Sequence, residues 1–147
     1  MGSNHEIVTH AKQKLALAPV TLGATGTNAG RIIDRLGFGG VMFIAEYGAV
    51  TTTGTVVTAL LKEGDVTGTL TSVADADMIG TEALASLLAT AVARTSGASK
   101  LVSKRLGYKG AKRYVQLSLN GTGTTSVGVV SASALLYNPE NGAQTNP

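Results

Sequence analysis

The densest group of chemically active residues is a basic cluster in the second half of the chain. Seven cations lie within twenty residues there, with Tyr108 among them and Tyr114 directly after them: Arg94, Lys100, Lys104, Arg105, Lys109, Lys112 and Arg113. Cations interleaved with aromatic rings on strands are typical of single-stranded nucleic-acid platforms. They also suit a surface that pairs with carboxylates of a protein partner. Because only two rings are present and no RNP-type motif surrounds them, the pattern favours a protein partner.

Acidic and histidine side chains supply the other possible ligands. Four carboxylates lie within one stretch of sequence, at Asp65, Asp75, Asp77 and Glu82. Calcium loops need ligands at regular offsets with a closing bidentate glutamate, and this spacing does not match. His5 and His10 have no further ligand candidate nearby, and the chain has no cysteine. We therefore predict no metal site, no cofactor and a solvent-exposed acidic turn.

A glycine-rich stretch at residues 23–30 resembles a phosphate cradle in composition. It lacks the GK[ST] ending of a P-loop, and no helical pattern follows it. A hairpin connection explains it better. The sequence also contains no G-x-S-x-G nucleophile elbow. We predict no catalytic residues, and a protein that is not an enzyme.

Charge is sparse and unevenly distributed along the chain. Charged residues make up 14% of the sequence, against roughly 25% in typical soluble domains. Residues 1–82 carry five basic and eight acidic side chains, for a net charge of −3. Residues 83–147 carry seven basic and one acidic side chain, for a net charge of +6. Such segregation can steer a partner or align copies of the same chain.

Hydrophobic residues do not form a membrane or export segment. No apolar run approaches the ~20 residues that span a bilayer. The N-terminal residues lack the apolar core of a signal peptide. We expect synthesis in the cytoplasm and no membrane contact.

The clearest strand pattern coincides with the basic cluster, at residues 101–119. Side chains from residue 112 to 120 alternate between two faces, which is the period of a strand. We predict a hairpin with strands at about 100–107 and 112–120. A tight basic turn at residues 108–112 would join them.

Other segments show strand or helix periodicity. Pro19 lies inside the first strand pattern and indicates an edge strand or a bulge. From Thr81 onward the apolar spacing becomes helical, which predicts a helix over about 81–93 with Thr81 as N-cap. The further strands are predicted at 15–22, 31–36, 41–50, 53–62, 66–73 and 126–137.

Seven or eight strands with glycine-rich turns and one short inserted helix predict an all-β fold. Among such folds we expect an antiparallel β-sandwich of jelly-roll-like form. At 147 residues the chain is one domain. We assign residues 1–14 to a flexible N-terminal arm, 15–137 to the β domain and 138–147 to a flexible C-terminal tail.

Three short motifs are spread over residues 30–120. A GF-x-x-V-x-F strand falls at Gly37–Phe43, a V-x-DADxxG turn at Val73–Gly80 and a GYxGxKRYV hairpin at Gly107–Val115. Together they resemble a family of small tailed-phage virion proteins that are typically encoded beside the major capsid protein. The family usually has an aspartate-rich stretch where this chain has Val50–Gly54, so the function of that loop is open.

The resemblance implies a decoration, or cement, protein that binds the outer surface of a phage capsid and stabilises its lattice. Its partners would be the major capsid protein and further copies of itself, as a dimer or trimer. It would be made in the host cytoplasm and reside on the virion surface. We assign its partner contacts to four cations: Arg105, Lys109, Lys112 and Arg113. The alternative is a nucleic-acid-binding β-domain that uses the basic hairpin at 100–113.

Overall fold

The computed structural model describes residues 6–22, 26–50, 54, 56–87, 101–122 and 128–140. Strands dominate this part of the chain, with two short α-helices and one 3₁₀ helix at Asp75–Asp77. The helices are α1 (Glu6–His10) and α2 (Glu82–Ala85). The strands are β1 (Ala11–Thr21), β2 (Gly26–Ala29), β3 (Ile33–Asp34), β4 (Phe38–Tyr47), β5 (Val56–Gly64), β6 (Thr71–Ser72), β7 (Met78–Ile79), β8 (Val102–Tyr108), β9 (Tyr114–Thr122) and β10 (Val129–Pro139).

The strands form two antiparallel sheets. Sheet A has the order β1-β10-β4-β8-β7, and sheet B has the order β2-β9-β5-β6 with β3 also beside β9. The pairs are nested along the chain: β1 with β10, β2 with β9, β4 with β8, and β5 with β6. This nesting over two sheets is the jelly roll. The predicted antiparallel sandwich of jelly-roll form is confirmed.

The core lies between the sheets and is mainly aliphatic. Alternate residues of each strand point inward, as in β4, where Val41, Phe43, Ala45 and Tyr47 are buried. Tyr47 brings a hydroxyl into this core and donates it to the Ala85 carbonyl at 2.7 Å. Burial raises the pKa of Tyr47. A satisfied hydroxyl lets the ring add apolar area without leaving a polar group unpaired.

The predicted hairpin at residues 101–119 is wrong in its pairing. The two strands exist, but β8 pairs with β4 and β7 in sheet A, whereas β9 pairs with β2, β3 and β5 in sheet B. Residues 109–113 therefore form an arch that crosses from one sheet to the other. The physical reason is that each strand has buried apolar residues on one face, Leu106 and Tyr108 in β8 and Val115, Leu117 and Leu119 in β9, and these two faces bury each other only across the core.

The predicted helix begins where expected but is much shorter. The Thr81 hydroxyl accepts the Leu84 backbone N–H at 3.1 Å, as an N-cap does. Ser86 is already extended, and Leu87 forms a β-bridge with Val57. The helix therefore ends at Ala85, and the remainder of the prediction, residues 88–93, lies outside the described residues.

The segment after α2 covers an edge of sheet B. Leu87 exchanges backbone hydrogen bonds with Val57, and the Ser86 hydroxyl accepts the Ala59 N–H at 2.8 Å. Glu82 Oε1 accepts the Leu61 N–H at 2.6 Å. The apolar periodicity predicted a buried helical stripe that includes Leu84 and Leu87, but Leu84 is exposed, and the buried residues are the consecutive Ala85, Ser86 and Leu87. Covering this edge removes donors that would otherwise template pairing with another chain.

Strand β1 forms one edge of sheet A. Its pairing register with β10 shifts between Leu15 and Leu17 and again between Leu17 and Val20, and the second shift spans Pro19. This confirms the edge and bulge that Pro19 predicted. Because Ala11 pairs with Tyr137, the chain enters and leaves the sandwich at the same end.

Several predicted boundaries differ from the structure. Residues 11–14, assigned to the flexible arm, are paired in β1, and residues 138–139 of the predicted tail are paired in β10. Residues 26–29 of the predicted connection form β2. Within the predicted strand 66–73, only Thr71 and Ser72 pair. The alternation there buries little on either face, because almost every side chain is exposed.

Candidate interaction surfaces

The side chain of Arg35 binds the backbone of the arch at residues 109–113. Its guanidinium donates to the carbonyls of Lys112, Phe38 and Gly110 at 2.5, 3.0 and 2.7 Å. The same group lies 5.4 Å from the centre of the Tyr108 ring. Each of the three guanidinium nitrogens thus donates to a different carbonyl, which the rigid donor fork of arginine allows. Arg35 therefore fixes the shape of the arch.

Tyr108 anchors the arch in the core. The residue is fully buried, and its hydroxyl donates to Glu63 Oε2. The hydroxyl oxygen of Tyr108 also accepts the Lys112 N–H at 2.9 Å. Burial, aided by the bond to Glu63, raises the pKa of Tyr108. A ring in this position cannot stack on a nucleobase, which a nucleic-acid platform would require.

Two of the four predicted contact residues pair with carboxylates of the same chain. Lys112 Nζ lies 2.6 Å from Asp65 Oδ2. Arg113 donates to both oxygens of Asp34, from Nε at 3.0 Å and from Nη2 at 2.7 Å. The hydrogen bond from Arg113 lowers the pKa of Asp34 from 3.8 to about 2. The bond from Lys112 likewise lowers the pKa of Asp65. Much of the charge match between the two halves of the sequence is thus made within the molecule.

The other two predicted contact residues lie in different places. Lys109 is exposed on the arch, and its backbone N–H donates to the Asp77 carbonyl at 2.9 Å. Arg105 is exposed on the outer face of β8, where it stands between two shallow depressions that both include Met42. Neither cation makes an ion pair within the described part of the chain. The four residues therefore do not form one patch, and their contact with a partner stays a prediction.

Arg35 was not identified from the sequence. It lies in a predicted strand, and its local neighbours give no sign of a role. Its arch partners Gly110 and Lys112 are 75 and 77 residues away in the chain. Only the three-dimensional crossing of the sheets reveals the interaction.

The outer faces of the two sheets have different character. On sheet A, the side chains of five apolar residues lie together on the outside: Met42, Ile44, Ile79, Leu135 and Tyr137. Gly40 and Gly107 keep this face flat, because a Cβ on Gly40 would lie 2.5 Å from the Tyr137 ring. The corresponding residues of sheet B are mainly polar: Thr27, Thr58, Lys62, Ser72, Gln116, Ser118 and Asn120.

The three motifs behind the family resemblance meet at one end of the sandwich. Gly107, in the third motif, pairs with Met42 of the first and with Ile79 of the second. A Cβ on Gly107 would lie 2.9 Å from the Ile79 side chain. Lys109 of the third motif bonds to Asp77 of the second. Segments far apart in sequence thus form a single structural unit.

In the described ranges, no three His, Asp or Glu side chains are grouped so that they could hold a metal ion. None of the helices within those ranges is long and apolar enough to cross a membrane.

The fold places the chain among all-β jelly-roll proteins, and comparison with solved structures agrees. The PBSX exported protein XepA superimposes with a TM-score of 0.53 at 16% identity, over 92% of this chain and 40% of that one. The chain thus spans less than half of XepA. This likeness shows the fold alone.

Two further structures match over most of both chains. A protein of the disulfide-linked pili of Bacillus endospore appendages has a TM-score of 0.43 at 16% identity, covering 88% of this chain and 89% of that one. The SPBc2 prophage-derived protein YomS has a TM-score of 0.41 at 10% identity, covering 88% and 96%. No protein-family model matches the chain, and no curated protein sequence matches it.

Proposed function

We propose that this chain is a structural protein of a phage virion that binds the outer surface of the capsid and stabilises its lattice. The observation that carries the proposal is the convergence of the three motifs that resemble the virion-protein family. Motifs that served chemistry would meet around a polar pocket. Here Gly107, Met42 and Ile79 meet to build a flat sheet face and a braced arch, which suits contact with another protein. The proposal includes no catalytic activity.

The arch would act as a preformed contact. Arg35 and Tyr108 hold its backbone before any partner arrives, so little conformational entropy would be lost on binding. Lys109 would supply a free cation to an acidic capsid surface. Each contact is small, but many copies on a repeating lattice gain avidity.

The nucleic-acid alternative receives less support from the same geometry. Tyr108 is buried, and Lys112 and Arg113 are paired with carboxylates. Fewer free cations would then be left to neutralise phosphates, so fewer counterions would be released and the expected affinity for nucleic acid is lower.

Co-sedimentation tests the proposal. The purified protein is mixed with shells assembled from the major capsid protein of the genome that encodes it, and the bound fraction is measured. We expect saturable binding, reduced several-fold by Lys109→Glu, because the one unpaired cation of the arch would become an anion. Lys62→Glu is the matched control: it makes the same charge change on the outer face of sheet B and should bind as the unchanged protein does.

Two outcomes would contradict parts of the proposal. If the unchanged protein stays in the supernatant at every protein concentration, capsid binding is wrong. If it binds and Lys109→Glu binds equally well, the arch is not the contact.

A further inference from the structure

The outer face of sheet A is the surface that lacks an explanation within the monomer. A sandwich in water has two outer faces, and both are expected to be polar on alternate residues. The outer face of sheet B follows this rule. Its main apolar exceptions are Val56 and Leu60, and Thr58 separates them. Sheet A presents a contiguous apolar block instead. Contiguous apolar surface on a soluble protein usually marks a contact site.

Charge on this face points to a particular partner. Arg105 and Glu46 are both exposed there, on the neighbouring strands β8 and β4. They are the one cation and the one anion on the described part of the face. They make no ion pair with each other, and Glu46 accepts only a 3.3 Å hydrogen bond from Ser131. An arginine covered by a partner needs a carboxylate opposite it.

We propose that the outer face of sheet A binds the same face of a second copy of this chain, with Arg105 of each copy against Glu46 of the other. In a twofold contact, each surface must complement itself. One cation beside one anion satisfies that condition, and two equivalent ion pairs result.

The register of the strands supports the match. Leu15, Ser133, Ile44 and Arg105 lie in one row across four strands, and Glu46 lies one row further along β4. These residues can be placed on a flat grid with the standard spacings between strands and between residues along a strand. A twofold axis that passes midway between Arg105 and Glu46 places each of them over the other in the copy, and it brings Ile44 close to Ile44 of the copy. The same axis places Leu15 over Leu135 of the copy. The strands of the two copies then cross steeply, as in orthogonal sheet packing.

This inference does not depend on capsid binding, because its test uses the isolated protein. Sedimentation equilibrium should show a reversible dimer. Arg105→Glu and Glu46→Arg should each raise the dimer dissociation constant roughly tenfold or more, since each places two like charges opposite one another. Lys62→Glu on sheet B should leave the constant unchanged.

Mixing the two single variants gives the decisive measurement. Arg105→Glu presents two anions and Glu46→Arg presents two cations, so they should form a heterodimer although each alone associates poorly. Circular dichroism spectra and melting curves of the single variants establish that both are folded.

Three results would overturn the inference. One is a monomer at all soluble concentrations, and another is a dimer that neither variant weakens. The third is a trimer, because a self-complementary face closes at two copies. A monomer that still co-sediments with shells would remove this inference and leave the proposed function intact.

Discussion

Asp34 links three parts of the molecule. Its carboxylate accepts two hydrogen bonds from Arg113 and one from the Leu36 N–H at 3.0 Å. Its backbone carbonyl accepts Lys14 Nζ at 2.9 Å. The side chain thus joins β3 to the arch, and the backbone joins β3 to the edge strand β1. A bidentate guanidinium–carboxylate pair is the strongest form of such a contact at a partly exposed site.

The pKa of Asp34 predicts how its contribution to stability depends on pH. Because the folded-state pKa falls from 3.8 to about 2, the carboxylate stabilises the fold above about pH 4. That stability is lost as the pH falls toward 2. We expect Asp34→Asn to lower the melting temperature at pH 7 by about 2–4 °C, and to have almost no effect near pH 2. Thermal melts monitored by circular dichroism between pH 2 and 7 measure both effects.

Asp75→Asn supplies the control for this prediction. Asp75 is exposed on the 3₁₀ helix and makes no ion pair within the described residues. Its removal should change the melting temperature little at any pH. A constant difference between Asp34→Asn and the unchanged protein down to pH 2 would show that the charge of Asp34 does not matter.

At the scale of elements, the arch depends on one side chain from another strand connection. Arg35 is the only donor to the Gly110 carbonyl described in the structure, and it also holds the carbonyls of Lys112 and Phe38. The lysine ammonium group is a single charged nitrogen at the end of a flexible side chain, and it cannot bind all three carbonyls in the way that the three guanidinium nitrogens do.

We therefore expect Arg35→Lys to lower the free energy of unfolding by about 1–3 kcal/mol, as for lost charge-assisted hydrogen bonds. Urea denaturation measures this change. Amide exchange gives a local readout: the Lys112 N–H, which is bonded to Tyr108, should exchange faster in the variant.

Arg31→Lys is the matched control, because Arg31 is exposed just before β3, as Arg35 lies just after it, and the Arg31 side chain makes no hydrogen bond among the described residues. If Arg31→Lys and Arg35→Lys exchange the Lys112 amide equally fast, Arg35 does not brace the arch.

Strand positions were largely predictable, and strand partners were not. The alternation that predicted β8 and β9 is a local property of each segment, and it holds in the structure. Pairing depends on which faces bury each other, and a short basic turn suits both a hairpin and an arch. Pro19 predicted an edge strand because proline has no backbone N–H to donate to a neighbouring strand, and this is a property of the residue itself. Arg35 could not be identified, because its role exists only after the sheets cross.

The segment after Thr81 shows a second limit of local patterns. The capping residue was predicted correctly, since the Thr81 side chain bonds within its own turn. The end of the helix was not, because Leu87 gains a β-bridge with Val57, some thirty residues earlier in the chain. Long-range pairing outweighed the local helix periodicity.

At the scale of the whole molecule, the nested strand pairs dominate folding. The first and last strands, β1 and β10, are neighbours, so most pairing closes long loops. We expect refolding on the millisecond-to-second scale rather than in microseconds. Stopped-flow tyrosine fluorescence can follow it, because the chain has no tryptophan and both Tyr47 and Tyr108 are buried. A microsecond phase that carried the full signal would contradict this expectation.

The overall class of fold was predictable because composition and turn spacing act over the whole chain. Few charges, many glycines and repeated period-two segments left little choice other than a β-sandwich. The apolar outer face of sheet A was not predicted. Its five apolar residues come from three strands, and no single segment shows which of its two faces will point outward.

The start of β1 and the end of β10 lie at the same end of the sandwich as the arch, and this has a practical consequence for labelling. Tyr108 pairs with Val41, Val41 with Leu136, and Leu136 with Lys12, so a tag fused before β1 or after β10 would emerge beside the arch. Such a tag could mask the very surface under study. Because the chain has no cysteine, a single thiol can be introduced at will. The exposed Val129, at the opposite end of β10 and about 30 Å away, would carry a dye that leaves the arch uncovered.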